Sequence, residues 1–430
     1  MALNRIPGLA MALVYRDNTE LRAYGVRDLE SNEPMTVDTP VELASVSKPL
    51  TAVGVARLVR EGKLVMDRPV SDWLPELQDG ALGRVTARDL VRHASGLRRR
   101  DDWLVPCCGR PGDRDLTVAL HSLRGVRPAR WSRGRFTYAN SNYVMLAALI
   151  ERVSGVPFED FMEREVFLPL GMTRTTVNEQ RARAWGLAAP HERSLNRVVR
   201  RRVGDAGWLG ASLVKSTAPD MAAFLRAALE GRVDGIERPG SLVAPYDAGW
   251  FVRREDGLLL LEHSGDTWGA NSAILWVPGR RLGVAVLTNA GVQRAMAIAR
   301  GVARCVLYGS APVAERPQWF QVADNWAMVF GALSVGAFGG LGALWVRLYR
   351  QWRSGQRQRR WPEGAWERGR LILLAAMALY LLGLALRAVL VATPGSPSSL
   401  RVGLAALSLA AGAGLLTVAG LAVLRRTAQL

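Results

Sequence analysis

Four residues near the start of the chain carry the first sign of chemistry: Ser45-Val46-Ser47-Lys48. The run Pro49 to Arg60 that follows has apolar residues at helical spacing, so a serine and a lysine three apart share one face of a first helical turn. On that face the amine can reach the hydroxyl. Serine is a weak nucleophile at its ordinary pKa, and a neighbouring lysine serves as its base when burial or nearby cations lower the amine's proton affinity. Of the 56 basic residues, only Lys48, Lys63 and Lys215 are lysines. The rest are arginines, which keep their proton. A lysine at this spacing therefore suggests a site that requires proton transfer. Alone, the pair also suits a serine N-cap followed by a solvated lysine.

Two further groups strengthen the motif. Tyr138-Ala139-Asn140 sets a phenol and a carboxamide at alternate positions, so both can face one cavity while Ala139 turns away. His263-Ser264-Gly265 ends the strand-like run Leu258 to Leu261, where a glycine lets a substrate backbone approach the strand edge. Taken singly, Tyr138 suits a core aromatic with a bonded hydroxyl, Asn140 a helix N-cap and His263 a satisfied sheet edge. His93 reads as structural, and His121 and His191 carry no motif.

The elements that must position these groups are legible from periodicity. Leu9 to Tyr15 and Leu21 to Val26 flank a polar turn and read as a hairpin. Helices are predicted over 49–60, 86–92, 143–153 and 158–167, with a further one capped by Thr217 and running to Leu229. Residues 98–115 read as an irregular surface excursion, and 173–206 as polar chain with little periodicity. Two hairpins follow, Trp250–Arg253 with Leu258–Glu262 and Ser272–Val277 with Leu282–Thr288, then a closing helix over 293–308. A hairpin first, helices in the middle and antiparallel strands last predict an α+β fold whose two ends share one sheet.

Ser45-x-x-Lys48, Tyr138-x-Asn140 and His263-x-Gly265, in that order, resemble the three motifs of the serine β-lactamase and penicillin-binding-protein superfamily. The variants resemble the branch that holds class C β-lactamases, serine D-aminopeptidases, DD-carboxypeptidase-like proteins and β-lactamase-fold esterases. Leu43-Ala44-Ser45, His93-Ala94-Ser95-Gly96-Leu97 and Ser216-Thr217-Ala218-Pro219-Asp220-Met221 are also similar to that family. The similarity runs over roughly residues 7 to 308 and implies a β-lactamase/DD-peptidase-like domain. It implies that Ser45 attacks a carbonyl and is acylated, with Lys48 and Tyr138 sharing the proton work and the cation lowering the phenol's pKa. Asn140 would hold the amide side of the substrate. His263 would line the pocket opposite Tyr138, within reach of the substrate or the phenol. The oxyanion would be held by the backbone N–H groups of Ser45 and Asp266, beside Gly265. No cofactor is implied. The expected substrates are small molecules or peptides with an amide or ester, such as peptidoglycan peptides.

The sequence departs from that pattern in places. Arg133 precedes Gly134 where many members have Pro, and Ala211-Ser212 replaces a Gly pair. His263 stands where a Lys-Thr-Gly version has its lysine, which removes a fixed cation for a β-lactam carboxylate and weakens a β-lactamase reading. The alternative from another class is a non-catalytic ligand-binding or sensor membrane protein that retains the fold.

At 430 residues and 49% hydrophobic, the chain is expected to hold two units: a hydrolase domain over 1–310, a linker over 311–325 and a membrane region over 326–430. Apolar helices are expected at about 326–346, 371–391 and 402–424, each long enough to span a bilayer. Of the net charge of +18, residues 326–430 carry +10, from twelve Arg against Glu363 and Glu367. Eight of those Arg and both Glu lie in 347–370, which reads as a cytoplasmic loop against anionic lipid. That orientation puts residues 1–325 outside a bacterial-type cell membrane. No signal peptide is evident at Met1, so the true start is expected to lie upstream. The basic residues lack the aromatic interleaving that single-stranded nucleic acid requires, and nucleic acid is excluded as a partner. Three cysteines, two of them adjacent, form no disulfide framework, and no histidine stands at ligand spacing, so no metal site is assigned.

Overall fold

The computed structural model describes residues 6–106, 115–129, 132–194, 197–201, 208–236, 239–243 and 245–309, with isolated positions between 340 and 426. The chain divides into two compact units, Met1–Glu192 with Val198–Glu315 and Arg193–Arg197 with Arg316–Leu430.

The first unit is organised on a seven-stranded antiparallel sheet. Strands β1 (Gly8–Tyr15) and β2 (Asn18–Gly25) form the N-terminal hairpin. Strands β3 (Tyr246–Asp247), β4 (Trp250–Glu255), β5 (Leu258–Asp266), β6 (Asn271–Val277) and β7 (Leu282–Thr288) come from the other end of the unit. Their spatial order is β2-β1-β7-β6-β5-β4-β3. β1 pairs with β7, Leu9 opposite Thr288 and Tyr15 opposite Leu282, so the two ends share one sheet as the α+β pattern predicts. Asp256 and Gly257, with φ of 50° and 73°, make the tight turn from β4 to β5. A two-residue hairpin loop needs this left-handed pair, and Asp-Gly tolerates it well.

Period-2 alternation splits the sheet's apolar residues between two cores. Ala10, Ala12, Val14, Ala285 and Leu287 face the helical region, while Leu9, Val284, Val286, Ala273 and Leu275 face the closing helix α4 (Ala295–Tyr308). The helical side holds α1 (Ser47–Arg60), α2 (Asn140–Ser154) and α3 (Ala218–Leu229). α2 stops at Gly155, whose φ of 75° gives the left-handed cap that a helix end commonly needs. α3 opens on Thr217, whose side chain accepts from the Asp220 amide.

Two stretches differ from their predicted form. The helix expected over 158–167 is α only across Phe158–Phe161 and widens into a π-turn across Met162–Phe167. Pro169, just beyond, has no N–H to return to that stretch. The polar stretch 173–206 contains a short helix, Glu179–Ala184, capped by Asn178, and strands at His191–Ser194 and Arg197–Arg200. Its polar composition hides these elements from an apolar-period reading.

In the second unit, Arg357–Arg359 pairs antiparallel with Leu424–Arg426. The spans expected at 326–346, 371–391 and 402–424 fall outside the described residues except at isolated positions, as does the linker over 311–325. Among the described residues no helix is long and apolar enough to cross a membrane.

Candidate active site

A two-residue ladder, Val41–Glu42 against Lys215–Ser216, feeds the chain into a single 3-10 turn, Ala44–Val46, that runs directly into α1. Ser45 therefore precedes the helix by two residues. Ala44 has φ 48°, a left-handed conformation that costs a residue with a Cβ about 1–2 kcal/mol and survives only when its surroundings enforce it. Strands β5 and β6 supply the enforcement. The Ser272 hydroxyl donates to the Leu43 carbonyl. A Cβ on Gly265 would lie 2.1 Å from that carbonyl and 2.9 Å from the Ser45 nitrogen. The sequence assigns Gly265 to the approach of a substrate backbone; what approaches it is the turn that carries Ser45.

Lys48, fully buried on the first turn of α1, places its Nζ 2.9 Å from Ser45 Oγ, 2.9 Å from Asn140 Oδ1 and 2.9 Å from the Ala211 carbonyl. Burial lowers its pKa to about 7; nearby Asp102 raises it and Arg99 lowers it. The three partners match that value. Charged, the amine donates to all three. Neutral, it keeps two N–H bonds for Asn140 and Ala211, which accept only, and turns its lone pair to Ser45 Oγ.

Tyr138 donates its hydroxyl to Ser45 Oγ at 3.1 Å, and its ring lies under the Lys48 amine, 4.9 Å from Nζ to the centroid. Ala139, buried between Tyr138 and Asn140, turns into the core. Ser45, Tyr138 and Asn140 are each partly exposed, so the reacting face opens outward while Lys48 stays inside. The phenol's expected low pKa does not hold: burial raises it above its ordinary value. Tyr138 is thus placed as a hydroxyl donor to Ser45 Oγ, and Lys48 is the amine within reach of the same oxygen.

His263 departs further from its assigned place. It is buried, its Nδ1 lies 2.8 Å from the Ser264 carbonyl, and its Nε2 lies 3.0 Å from the Tyr246 hydroxyl. A carbonyl only accepts, so Nδ1 carries the proton and Nε2 accepts from Tyr246. Burial, with Lys48 adding to it, pulls the pKa down to about 3 and keeps the ring neutral. Both nitrogens are engaged away from Tyr138, whose ring centroid is 6.3 Å distant. Asp266 ends β5 opposite Asn271, and its carboxylate accepts from the Gln293 amide.

Three residues outside the motifs complete the site. Asp102 is buried at 2% exposure in a turn that the sequence reads as a surface excursion. Its carboxylate accepts from the Asn140 amide at 3.0 Å, the Ser141 amide at 2.8 Å and the Ser141 hydroxyl at 2.6 Å. This caps α2 at the point where Asn140 leaves it. His93 stacks on Tyr138 with centroids 4.4 Å apart, and its Nδ1 accepts from the Ala139 amide and the Asn142 carboxamide. Tyr246, on the short edge strand β3, anchors His263. Asp102 and Tyr246 have no local signature, because their partners are 38 and 17 residues away. Among the described residues no group of His, Cys, Asp and Glu side chains is arranged to hold a metal ion.

The chain is 36% identical over 181 residues to esterase EstB of Burkholderia gladioli, covering 38% of this chain and 45% of the esterase. It is 28% identical over 274 residues to a D-aminopeptidase of Brucella anthropi, covering 60% of this chain and 51% of that protein. The chain thus spans about half the length of these curated relatives. Among solved structures it resembles the octameric penicillin-binding protein homologue from Pyrococcus abyssi, with TM-score 0.61 and 23% identity over 76% of this chain and 79% of that one. That likeness concerns the fold. Residues 1–306 match the Beta-lactamase family over most of the chain, and the protein belongs to it.

Proposed function

We propose that this protein is a serine hydrolase that works through an acyl-enzyme on Ser45. One observation carries the reading: a hydrogen-bonded chain runs from the Tyr138 hydroxyl to Ser45 Oγ to a buried Lys48 whose pKa is brought to about 7. In that chain the Ser45 proton passes to Nζ as Oγ bonds to the substrate carbonyl carbon and the carbonyl electron pair moves onto oxygen. The Ser45 amide, at the entry to α1, and the Asp266 amide on β5 are the donors assigned to that oxyanion. When the tetrahedral species collapses, the bond to the leaving group breaks and the Lys48 ammonium returns the proton, relayed across the Tyr138 hydroxyl. Water then attacks the ester by the same route. Asn140, with Oδ1 committed to Lys48, keeps its NH₂ for a substrate carbonyl.

The relatives support substrates with an amide or ester, since those named include an esterase and a D-aminopeptidase. Peptidoglycan peptides fit a domain outside the membrane, and the three apolar segments near 326–346, 371–391 and 402–424 support membrane anchoring. Efficient β-lactam hydrolysis is less favoured, because the neutral, internally bonded His263 gives β5 no fixed cation at that position.

Intact mass spectrometry after exposure to a fluorophosphonate and to a penicillin, with Ser45→Ala as control, tests the proposal. Serine-dependent adducts from both reagents establish an acylable site, and the lifetime of the penicillin adduct separates peptidase from lactamase. An adduct from the fluorophosphonate alone points to an esterase. No adduct on folded protein would return the reading to a non-catalytic sensor.

A further inference from the structure

Lys48 shares its amine between Ser45 and two acceptors from distant parts of the chain, Asn140 Oδ1 and the Ala211 carbonyl. A turn delivers each acceptor. The first, Asp101–Leu104, sets the Asp102 carboxylate on the amides of Asn140 and Ser141. The second, over 208–212, is closed by the Trp208 carbonyl, which accepts from the Ala211 amide at 3.1 Å and the Ser212 amide at 3.0 Å. The Trp208 side chain joins the two turns. Its indole Nε1 donates to the Val105 carbonyl at 3.2 Å, and the Val105 amide donates to the Asp102 carbonyl at 3.2 Å.

These bonds close on themselves. From Lys48 the path runs through Asn140, Asp102, Val105, Trp208 and Ala211 and returns to Lys48, each step a hydrogen bond between 2.9 and 3.2 Å. Each member of such a ring is restrained from two sides, and opening one link leaves its neighbours restrained from one. The second turn has a further brace. Thr51, buried one helical turn beyond Lys48 on α1, donates its hydroxyl to the Gly210 carbonyl at 2.7 Å, closer than the 3.2 Å to the Ser47 carbonyl of its own helix. Gly210 has φ 75°, and a Cβ on it would lie 2.3 Å from the Tyr143 carbonyl, so the turn sits hard against α2. Lys48 and Thr51 thus donate to successive carbonyls of one turn. Trp208 is half-buried and packs on the main core, so phenylalanine in its place keeps the apolar contact and deletes the donor.

We propose that Trp208 and Thr51 are positioning residues for Lys48: the indole N–H ties the turn that carries the Ala211 carbonyl to the turn that holds Asn140, the Thr51 hydroxyl braces the first of these on α1, and together they aim the amine at Ser45 Oγ. The inference rests on the hydrolase reading for its purpose but not for its test. Neither side chain has a bond to Ser45, Lys48 or Asn140 among the described contacts; both act through the carbonyls that Lys48 and its neighbours use.

With three lysines in the chain, carbon-13 labelling at the lysine Cε gives a proton–carbon spectrum in which Lys48 is assigned by its loss in Lys48→Arg. In the full chain the two protons on Lys48 Cε are expected to give separate resonances, because a side chain held in one orientation places them in different surroundings. In Trp208→Phe and in Thr51→Val that separation is expected to collapse toward the pattern of the exposed Lys63, while the buried Lys215 keeps its own. A separation that persists in Trp208→Phe overturns the proposal, as does a single Lys48 resonance in the unaltered protein or an equal collapse at Lys215, which marks general loosening. Thr51→Val decides in the same way if Trp208→Phe does not fold. In acylation, Trp208→Phe should lower the rate at saturating ester about tenfold with KM unchanged, equally for a small and a bulky ester. A loss confined to the KM of the bulky ester makes Trp208 a substrate contact and overturns the proposal. An unaltered protein that no fluorophosphonate labels ends the hydrolase reading alone, since the spectra judge the placement of Lys48 without turnover.

Discussion

The Nζ of Lys48 lies 2.9 Å from Ser45 Oγ, and its two other partners, Asn140 Oδ1 and the Ala211 carbonyl, are both unable to donate. The lone pair of the neutral amine therefore has one place to go. Acylation should rise with pH through a midpoint close to 7, because only the deprotonated amine accepts the serine proton. Lys48→Arg, which cannot deprotonate, is expected to lose about 10³-fold or more in acylation rate across the whole range. Stopped-flow acylation with an activated ester between pH 5 and 9 checks both statements. A flat profile would remove Lys48 as the base.

The same group leaves a mark on stability. Its folded value of about 7 lies below the ordinary 10.5, so between those pH values the unfolded chain holds a proton that the folded chain has released. Stability then rises with pH through that window. Lys48→Met removes the effect, and the variant should exceed the wild type in stability at pH 6 by more than at pH 9. The gap is expected to narrow by about 2 kcal/mol. Urea unfolding at the two pH values measures it.

Tyr138→Phe keeps the ring over Lys48 and against His93 but deletes the donor to Ser45. A loss of about 10²-fold in acylation is expected with the melting temperature nearly unchanged. Because burial raises the phenol above its ordinary range, no alkaline limb from Tyr138 should appear below pH 10. A limb that vanishes in Tyr138→Phe would show instead a phenolate at work.

Gly265→Ala puts a Cβ against the Leu43 carbonyl and the Ser45 nitrogen, both of them backbone. Backbone cannot swing aside as a side chain would, so the nucleophile turn must shift away from β5. Loss of stability of roughly 1–3 kcal/mol and of most fluorophosphonate labelling should follow together. Full labelling in a stable Gly265→Ala protein would separate that turn from the nucleophile's placement.

Much of this architecture is legible in the chain because local periodicity writes it there. The alternation of Gly8–Tyr15, the Asp256-Gly257 turn and the Thr217 cap each depend on neighbours within a few residues. The Ser45–Lys48 spacing is readable for the same reason, a single helical turn. Asp102 is not readable, because an aspartate in an Arg-rich loop looks solvated until α2 arrives to present its bare amides. The surroundings of His263 are unreadable on similar grounds. A histidine near a catalytic strand invites a substrate-facing assignment, and only the fold shows Tyr246 occupying its outer nitrogen. The phenol's proton affinity is not readable either, since burial dominates it and burial is not a local property.

The seam between β1 and β7 has a temporal consequence. The Gly8 amide donates to the side chain of Asn289, 281 residues later, and β1 has its inner neighbour only once β7 exists. At ordinary ribosomal rates of about 5–20 residues per second, the N-terminal hairpin waits some 15–60 seconds with an open edge. Contacts of such long sequence separation also fold slowly. The strands that hold the turn of Ser45 in its left-handed bend belong to that late-arriving end. A nascent chain therefore carries Ser45 early but has no assembled site around it until the last strand is made.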